Sequence, residues 1–550
     1  MARPTRLTDK VIREYFSEGV WGAVTLSDCW DRNADRNSKG VAVADDQRKL
    51  SWAEARVWTD RLALGLVQLG LDRDDVLAVQ LPNCVELPLV RVACEKAGIL
   101  CLPLPRTFRH AEMSYCLRFT EAAAVLAPWK YRDFDYFGMI RELQGELPHL
   151  RHILVPGKEV PASALSLDDI VCRNRETTVG LTVLEEQRYK AEEVSLINST
   201  TGTTGLPKFA EYTAAARLLY GRSYIDVLGL GEADILAALS PAAGGPNIPV
   251  YFAAPQIGAK TVFLRHFEAE AAFEIIHRER VTVACLVPAQ LAMMLRSAHS
   301  DRYDLSSVRF WLSVGALLAP NLAREAEEEL GGIVINTYGA VDWGGVVLTS
   351  PLDSPEVRYF TVGRPRVGTE VQLMDEAGRM IVPGEGGVGE VQGRGPSCSS
   401  GYYRNPEATQ RTWTADGWLP LGDLGQWDKE RNLKLLGRKD ELIIRGGQNI
   451  QPAEIENYLL THPNVKQVAV VGMPDSVMGQ KVCAYVVSRT DDGIKLEEIV
   501  SFLRSRQLAP YKLPERLEVV HTLPMVSDTK VDKRILAADI VEKLRRTPVI

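Results

Sequence analysis

Short apolar runs of strand length alternate along this chain with longer stretches in which apolar residues recur every three or four positions. The runs at 76–81, 99–104, 122–127, 153–155, 194–197, 235–239, 261–264, 281–287, 308–314 and 333–336 predict strands. They are apolar at consecutive positions rather than at every second one, as expected of strands covered on both faces of a mostly parallel sheet. Between them, 52–69, 86–97, 269–279 and 322–330 carry a helical period. From 371 to 436 the runs shorten and Gly/Pro turns separate them, which predicts a small β subdomain. Beyond 437–440 the pattern changes again: helix 453–461, strands 468–471 and 482–487, helix 496–507, strand 517–520. The expected architecture is α/β. A large N-terminal domain of layered α/β sheets and a β subdomain spans 1–437, a hinge spans 438–441, and a small α+β C-terminal lid spans 442–550.

Composition narrows the function. The chain has 550 residues, 46% of them apolar and 25% charged, with a formal net charge of −7. That is a globular balance, with no long basic run for nucleic acid and no apolar stretch long enough for a membrane span. Residues 1–6 precede no apolar signal core, so a cytoplasmic protein is expected. The nine cysteines show no CxxC pair and read as small core residues of a reduced protein.

The densest chemistry is Thr200-Thr201-Gly202-Thr203-Thr204-Gly205-Leu206-Pro207-Lys208, directly after a predicted strand. Two glycines allow a tight backbone that points amides at an anion, threonines add hydroxyl donors, and the lysine adds charge. The spacing is not that of the common P-loop, which needs four residues between its glycines. The segment resembles the signature loop of AMP-forming adenylating enzymes: acyl- and aryl-CoA synthetases, aryl-acid AMP ligases, peptide-synthetase adenylation domains and beetle luciferases. In that family the loop holds the β- and γ-phosphates of ATP.

Other segments extend the resemblance over nearly the whole chain. Tyr338-Gly339-Ala340-Val341-Asp342 is similar to the family's aromatic-Gly-x-x-acid motif, which implies a ring over adenine and a carboxylate on Mg²⁺, with Thr201 as a second ligand. The usual acid is Glu; here it is Asp342. Gly422-Asp423 matches the family's ribose-binding Asp, preceded by the similar stretch GPSCSSGYY at 395–403. Gly437-Arg438-Lys439-Asp440-Glu441, followed by Arg445-Gly446-Gly447 and Glu454-Ile455-Glu456, resembles the linker motif. The likeness puts Arg438 on ribose and α-phosphate, Asp440 at the hinge, and Gly446 and Gly447 along the thiol tunnel. Lys530 aligns with the catalytic lysine of the lid, although Thr529 stands where the family has Gly; Lys533 is a nearby competitor for that role.

The acid pocket departs most. The chain resembles bacterial 2,3-dihydroxybenzoate–AMP ligases in particular, but their His and Asn positions are Gly244 and Gly245 here, followed by Pro246 and Asn247. The Gly-rich loop is Gly315-Ala316-Leu317, and Trp343 and Gly345 follow Asp342. Polar readers are lost, and 244–255 holds no carboxylate for an α-ammonium group, so a little-hydroxylated aromatic or alicyclic acid is expected. The resemblance implies ATP- and Mg²⁺-dependent formation of an acyl-adenylate, with Thr204, Lys208, Asp342 and Lys530 in catalysis. Transfer to a thiol follows, coenzyme A being favoured. Two alternatives stay open: a stand-alone ligase loading the phosphopantetheine of an acyl carrier protein, and a nucleotide-binding sensor without turnover. A homodimer is also left open.

Overall fold

The computed structural model describes residues 4–174, 180–200, 207–242, 245–297, 300–446, 448–490, 493–527 and 530–546. Among these, two large sheets dominate. The first has nine strands, from the edge Arg364–Pro365 and Val347–Leu348 through Ile333–Tyr338, Phe310–Ser313, Val283–Leu286, Ile235–Ala238 and Lys260–Phe263 to Val41–Ala44 and Lys49–Ser51. From Ile333–Tyr338 to Val41–Ala44 every neighbour is parallel. The second runs in the order Phe209–Thr213, Val194–Ser199, Leu100–Pro103, Val76–Val79, Ala124–Leu126, His152–Val155 and Leu165–Ser166. Each run of consecutive apolar residues became one of these strands because both faces are covered.

One apolar core contains residues of both sheets together with helices Trp52–Gln68, Glu86–Ala97 and Ala214–Leu228, which therefore form the layer between them. Glu86–Ala97 is buried along its whole length, charges included. Glu86 faces Arg48 at 3.3 Å, Glu95 accepts the Ser27 amide at 2.6 Å, and Lys96 reaches Asp31 and Asp60 at 2.6 Å each. Burying charge is tolerable only with such partners.

A four-stranded antiparallel sheet follows: Glu370–Met374, Gly389–Arg394, Leu419–Trp427 and Leu433–Arg438. It ends at Arg438. The next strand, Ile443–Arg445, joins a different, five-stranded sheet with helices Pro452–Leu459 and Leu496–Ser505 in its core. The fold is the expected α/β class with a smaller α+β unit. Helices Asp9–Ser17, Leu26–Arg36 and Lys533–Arg546 were not expected from the pattern. Among the described residues no helix is long and apolar enough to cross a membrane, and the nine cysteines are free, eight of them buried.

Candidate active site

Strands Val194–Ser199 and Phe209–Thr213 pair antiparallel, and Thr200 and Lys208 stand at the two ends of the segment that joins them. The Thr200 amide donates to the Lys208 carbonyl at 2.7 Å, and the Lys208 amide donates to Thr200 Oγ1 at 3.2 Å. The two ends of the expected phosphate loop are thus clipped together. Thr201, Gly202, Thr203, Thr204 and Gly205 lie outside the described residues.

A residue without an expected role organises what surrounds the loop. The segment around Gly401 bonds alongside Phe209–Thr213: Ser400 and Tyr403 amides donate to the Glu211 and Phe209 carbonyls, and the Glu211 amide donates to Gly401. This places Tyr402 beside the loop. Lys208 Nζ lies 4.8 Å from the Tyr402 ring centroid, and the Tyr402 hydroxyl donates to Asp342 Oδ2 at 3.0 Å. The cation expected on phosphate and the carboxylate expected on metal therefore meet across one buried phenol. Its only signal in the sequence was its place within GPSCSSGYY.

The residues expected on the nucleotide also converge. Asp423 and Arg438 are direct cross-strand partners in the four-stranded sheet, the arrangement in which opposite charges on one face meet. Arg438 Nη1 donates to Asp423 Oδ1 at 3.2 Å and to the Leu421 carbonyl at 2.9 Å, while its Nε reaches Asp440 Oδ1 at 3.3 Å. Burial pulls the Arg438 guanidinium down, but the Asp423 and Asp440 carboxylates hold it above its usual range. Tyr338 donates its hydroxyl to Asp423 Oδ2 at 2.5 Å. Burial first, and Asp423 second, push that phenol well above its ordinary pKa, so it stays a donor. Three motifs separated in sequence form one hydrogen-bonded cluster.

The loop from Gly339 to Gly345 is braced from below. The Tyr212 hydroxyl donates to the Val341 carbonyl, and a Cβ on Gly344, whose φ is +77°, would meet the Tyr212 ring at 2.6 Å. Only glycine fits that close approach. Trp343 is fully buried with its ring 5.8 Å from Tyr338, against Gly345 and Gly393, in the core of the four-stranded sheet unit. Its ring occupies that core, not an open pocket surface.

At the acid end Gly245, Pro246 and Asn247 form a short 3₁₀ turn. Asn247 is completely buried, and its Nδ2 donates to the Ser240 and Pro241 carbonyls at 2.8 and 3.1 Å. Among the described residues its Oδ1 has no partner. Pro246 approaches Gly315, whose φ is +96°. Gly315 and Ala316 are exposed and Leu317 is half-buried; Gly244 lies outside the described residues.

On the smaller unit, Gly446 takes φ +55° in the exposed turn between Ile443–Arg445 and Gln448–Ile450, and Gly447 lies outside the described residues. Lys530 lies in the short strand Lys530–Val531, paired with Met525–Ser527; its side chain and Thr529 lie outside the described residues. Lys533 is tied to Glu441 at 2.7 Å and Glu456 at 2.8 Å. Those two carboxylates fasten the competitor within the smaller unit.

Comparison with known proteins agrees with this geometry. Residues 30–403 match the family model described as AMP-binding enzyme, and 454–530 match the AMP-binding enzyme C-terminal domain. The chain belongs to the AMP-binding enzyme family. As a member it activates a carboxylic acid by forming an adenylate. It is 31% identical over 535 residues to the medium-chain fatty-acid–CoA ligase of Escherichia coli (strain K12), covering 96% of this chain and 93% of that one. It is also 31% identical over 540 residues to the 2,3-dihydroxybenzoate-AMP ligase of Bacillus subtilis (strain 168), covering 98% and 97%. The anthranilate CoA ligase AuaEII, solved with anthranoyl-AMP, shares the AMP-binding enzyme fold at a TM-score of 0.83 and 22% identity, over 95% of this chain and 98% of that chain.

Proposed function

We propose that this enzyme joins an aromatic or alicyclic carboxylic acid, poor in ring hydroxyls, to a thiol, with coenzyme A as the acceptor. The observation that carries the reading is the meeting of Lys208 and Asp342 at Tyr402, beside the base of the phosphate loop. A carboxylate oxygen of the acid attacks the α-phosphorus of ATP, and the bond to pyrophosphate breaks. Lys208, with Thr200 and the loop it closes, receives the departing charge. Asp342 supplies a hard oxygen ligand of the kind Mg²⁺ takes together with substrate phosphates and water; Mg²⁺ there would offset charge on the phosphates. Tyr338 stands beside Asp423, which with Arg438 takes the ribose. The thiol sulfur then attacks the acyl carbon and AMP leaves. Gly446 and Gly447 line the thiol's approach, and the smaller unit turns about Asp440 between the two steps.

The poverty in hydroxyls rests on Gly244 and Gly245, which stand where the resembled ligases carry polar side chains, and on the amide donor of Asn247. That donor is already used on two backbone carbonyls, and Gly245 offers no side chain. The coenzyme A reading is supported by the CoA ligase among the relatives; the AMP ligase among them keeps carrier-protein loading as the second reading.

The test separates the half-reactions. Lys530→Ala should lose acid-dependent pyrophosphate exchange by roughly a thousandfold or more, as for a group that stabilises charge in the transition state. It should still convert a supplied acyl-adenylate to thioester. Lys533→Ala should weaken both steps together, because it unties Glu441 and Glu456. A selective exchange defect in Lys533→Ala would move the catalytic role to that residue.

A further inference from the structure

Two arginines lie inside the core and, among the described residues, make no ion pair. Arg217, on helix Ala214–Leu228, is 1% exposed, and its guanidinium carbon sits 3.2 Å from the Tyr212 ring centroid. Among the described residues its Nε, Nη1 and Nη2 have no hydrogen-bond partner. Arg91, on the central buried helix, is 7% exposed and stacks over Tyr251 at 4.0 Å, with its Nε likewise unpartnered. Both line one small interior cavity of about 20 Å³, together with Glu95, Ser195, Thr213 and Phe252.

Stacking does not settle this arrangement. A desolvated cation over an aromatic ring recovers about 2 kcal/mol, whereas an ion withdrawn from water costs several. The nearby carboxylate is engaged elsewhere: Glu95 accepts the Ser27 amide at 2.6 Å. Burial raises its pKa and favours its neutral form. The cavity has room for one particle of about water size, and two cations border it.

We propose that this cavity is a binding site for a halide-sized monovalent anion, held between Arg91 and Arg217. Chloride is the ion of that class the chain would meet. A single water presents one partial negative charge to the two guanidiniums; an anion presents a whole one and accepts from several N–H groups at once. The site also touches catalysis indirectly. Arg217 stacks on Tyr212, and Tyr212 holds the Val341 carbonyl in the loop that carries Asp342.

Thermal unfolding of the full chain in sodium chloride, bromide and gluconate at equal ionic strength tests the site, with Arg217→Met alongside. At about 0.1 M salt, chloride and bromide should raise the Tm of the unaltered protein by about 1–3 °C over gluconate, and the variant should show no such difference. Crystals grown in bromide should show an anomalous peak between Arg91 and Arg217. Equal Tm values in the three salts would overturn the proposal, as would an equal halide effect in Arg217→Met or a cavity without anomalous signal that holds only water. Should Arg217→Met not fold, the salt series on the unaltered protein and the bromide map decide.

Discussion

The two ends of the site are built on opposite plans. At the nucleotide end Tyr338, Asp423 and Arg438 spend their polar groups on one another, and Tyr402 links Lys208 to Asp342. Each of these groups is held in direction by another, which is what electrostatic preorganisation requires. At the acid end the described residues are glycine, proline, alanine and leucine, and the amide of Asn247 is turned into the backbone. One end is specified by directed hydrogen bonds, the other by shape. A family that activates many acids with one nucleotide has reason to hold the first constant and let the second vary.

The comparison breaks most visibly at Asp423. Asp423→Ala would leave a buried phenol and a guanidinium without their shared acceptor. The two hydrogen bonds to the carboxylate are worth about 1.5–3 kcal/mol each, so kcat/KM for ATP in pyrophosphate exchange should fall about 10²–10³-fold. A loss below tenfold would mean that the cluster is scaffolding rather than nucleotide site. The acid end is sharpened without mutation. A ring hydroxyl desolvated against Gly245 loses about 1–3 kcal/mol, so benzoate and cyclohexanecarboxylate should exceed salicylate and 2,3-dihydroxybenzoate by about 10–100-fold in kcat/KM. Preference for the 2-hydroxylated acids would show that Asn247 Oδ1 or a backbone group reads the hydroxyl.

A milder cut at the nucleotide end is Tyr402→Phe. It keeps the ring under Lys208 and deletes the hydrogen bond to Asp342, worth about 1–1.5 kcal/mol. Exchange should slow about tenfold while KM for the acid stays unchanged; a changed acid KM would place Tyr402 at the other end. The smallest rate effect is expected at Glu211, behind the phosphate loop. Thr5 donates to both of its carboxylate oxygens, at 2.9 and 2.7 Å. Burial outweighs those bonds and holds the carboxyl up at about 7, against 4.5 for an ordinary Glu. The folded form therefore binds the proton more tightly than the unfolded chain. The stability this gives is complete below pH 4.5 and is lost as pH rises towards 7. Glu211→Gln can keep both contacts, since Thr5 Oγ1 can also accept. Its Tm should fall less than that of the unaltered protein between pH 5 and 8, with exchange at pH 7 unchanged. Parallel pH profiles would exclude this linkage.

Much of the frame was legible in the sequence, for a physical reason. Strands covered on both faces must be apolar throughout, so 235–239, 281–287 and 308–314 stand out without any partner being known, and helices 86–97 and 269–279 were bounded to the residue. Asp423 and Arg438 were visible by resemblance, and cross-strand pairing brings the two together. Tyr402 and Tyr212 were not readable as site residues. Each acts through a contact about 60 to 130 positions away in the chain, and nothing local marks such a tyrosine apart from a core one. Trp343 was misleading in the opposite sense: beside Asp342 in sequence, it turns into the sheet core through the gap left by Gly345 and Gly393.

The helix Glu86–Ala97 has a consequence for how the chain is made. It has no solvent face, and its Glu86, Glu95 and Lys96 find partners in segments from Ser27 to Arg265. Neither large sheet can shield it alone. The two sheets should therefore fold and unfold as one cooperative unit, and a nascent chain must wait, with this helix uncovered, until strand Lys260–Phe263 and its neighbours have been synthesised. Fragments that stop before that point are the ones expected to aggregate.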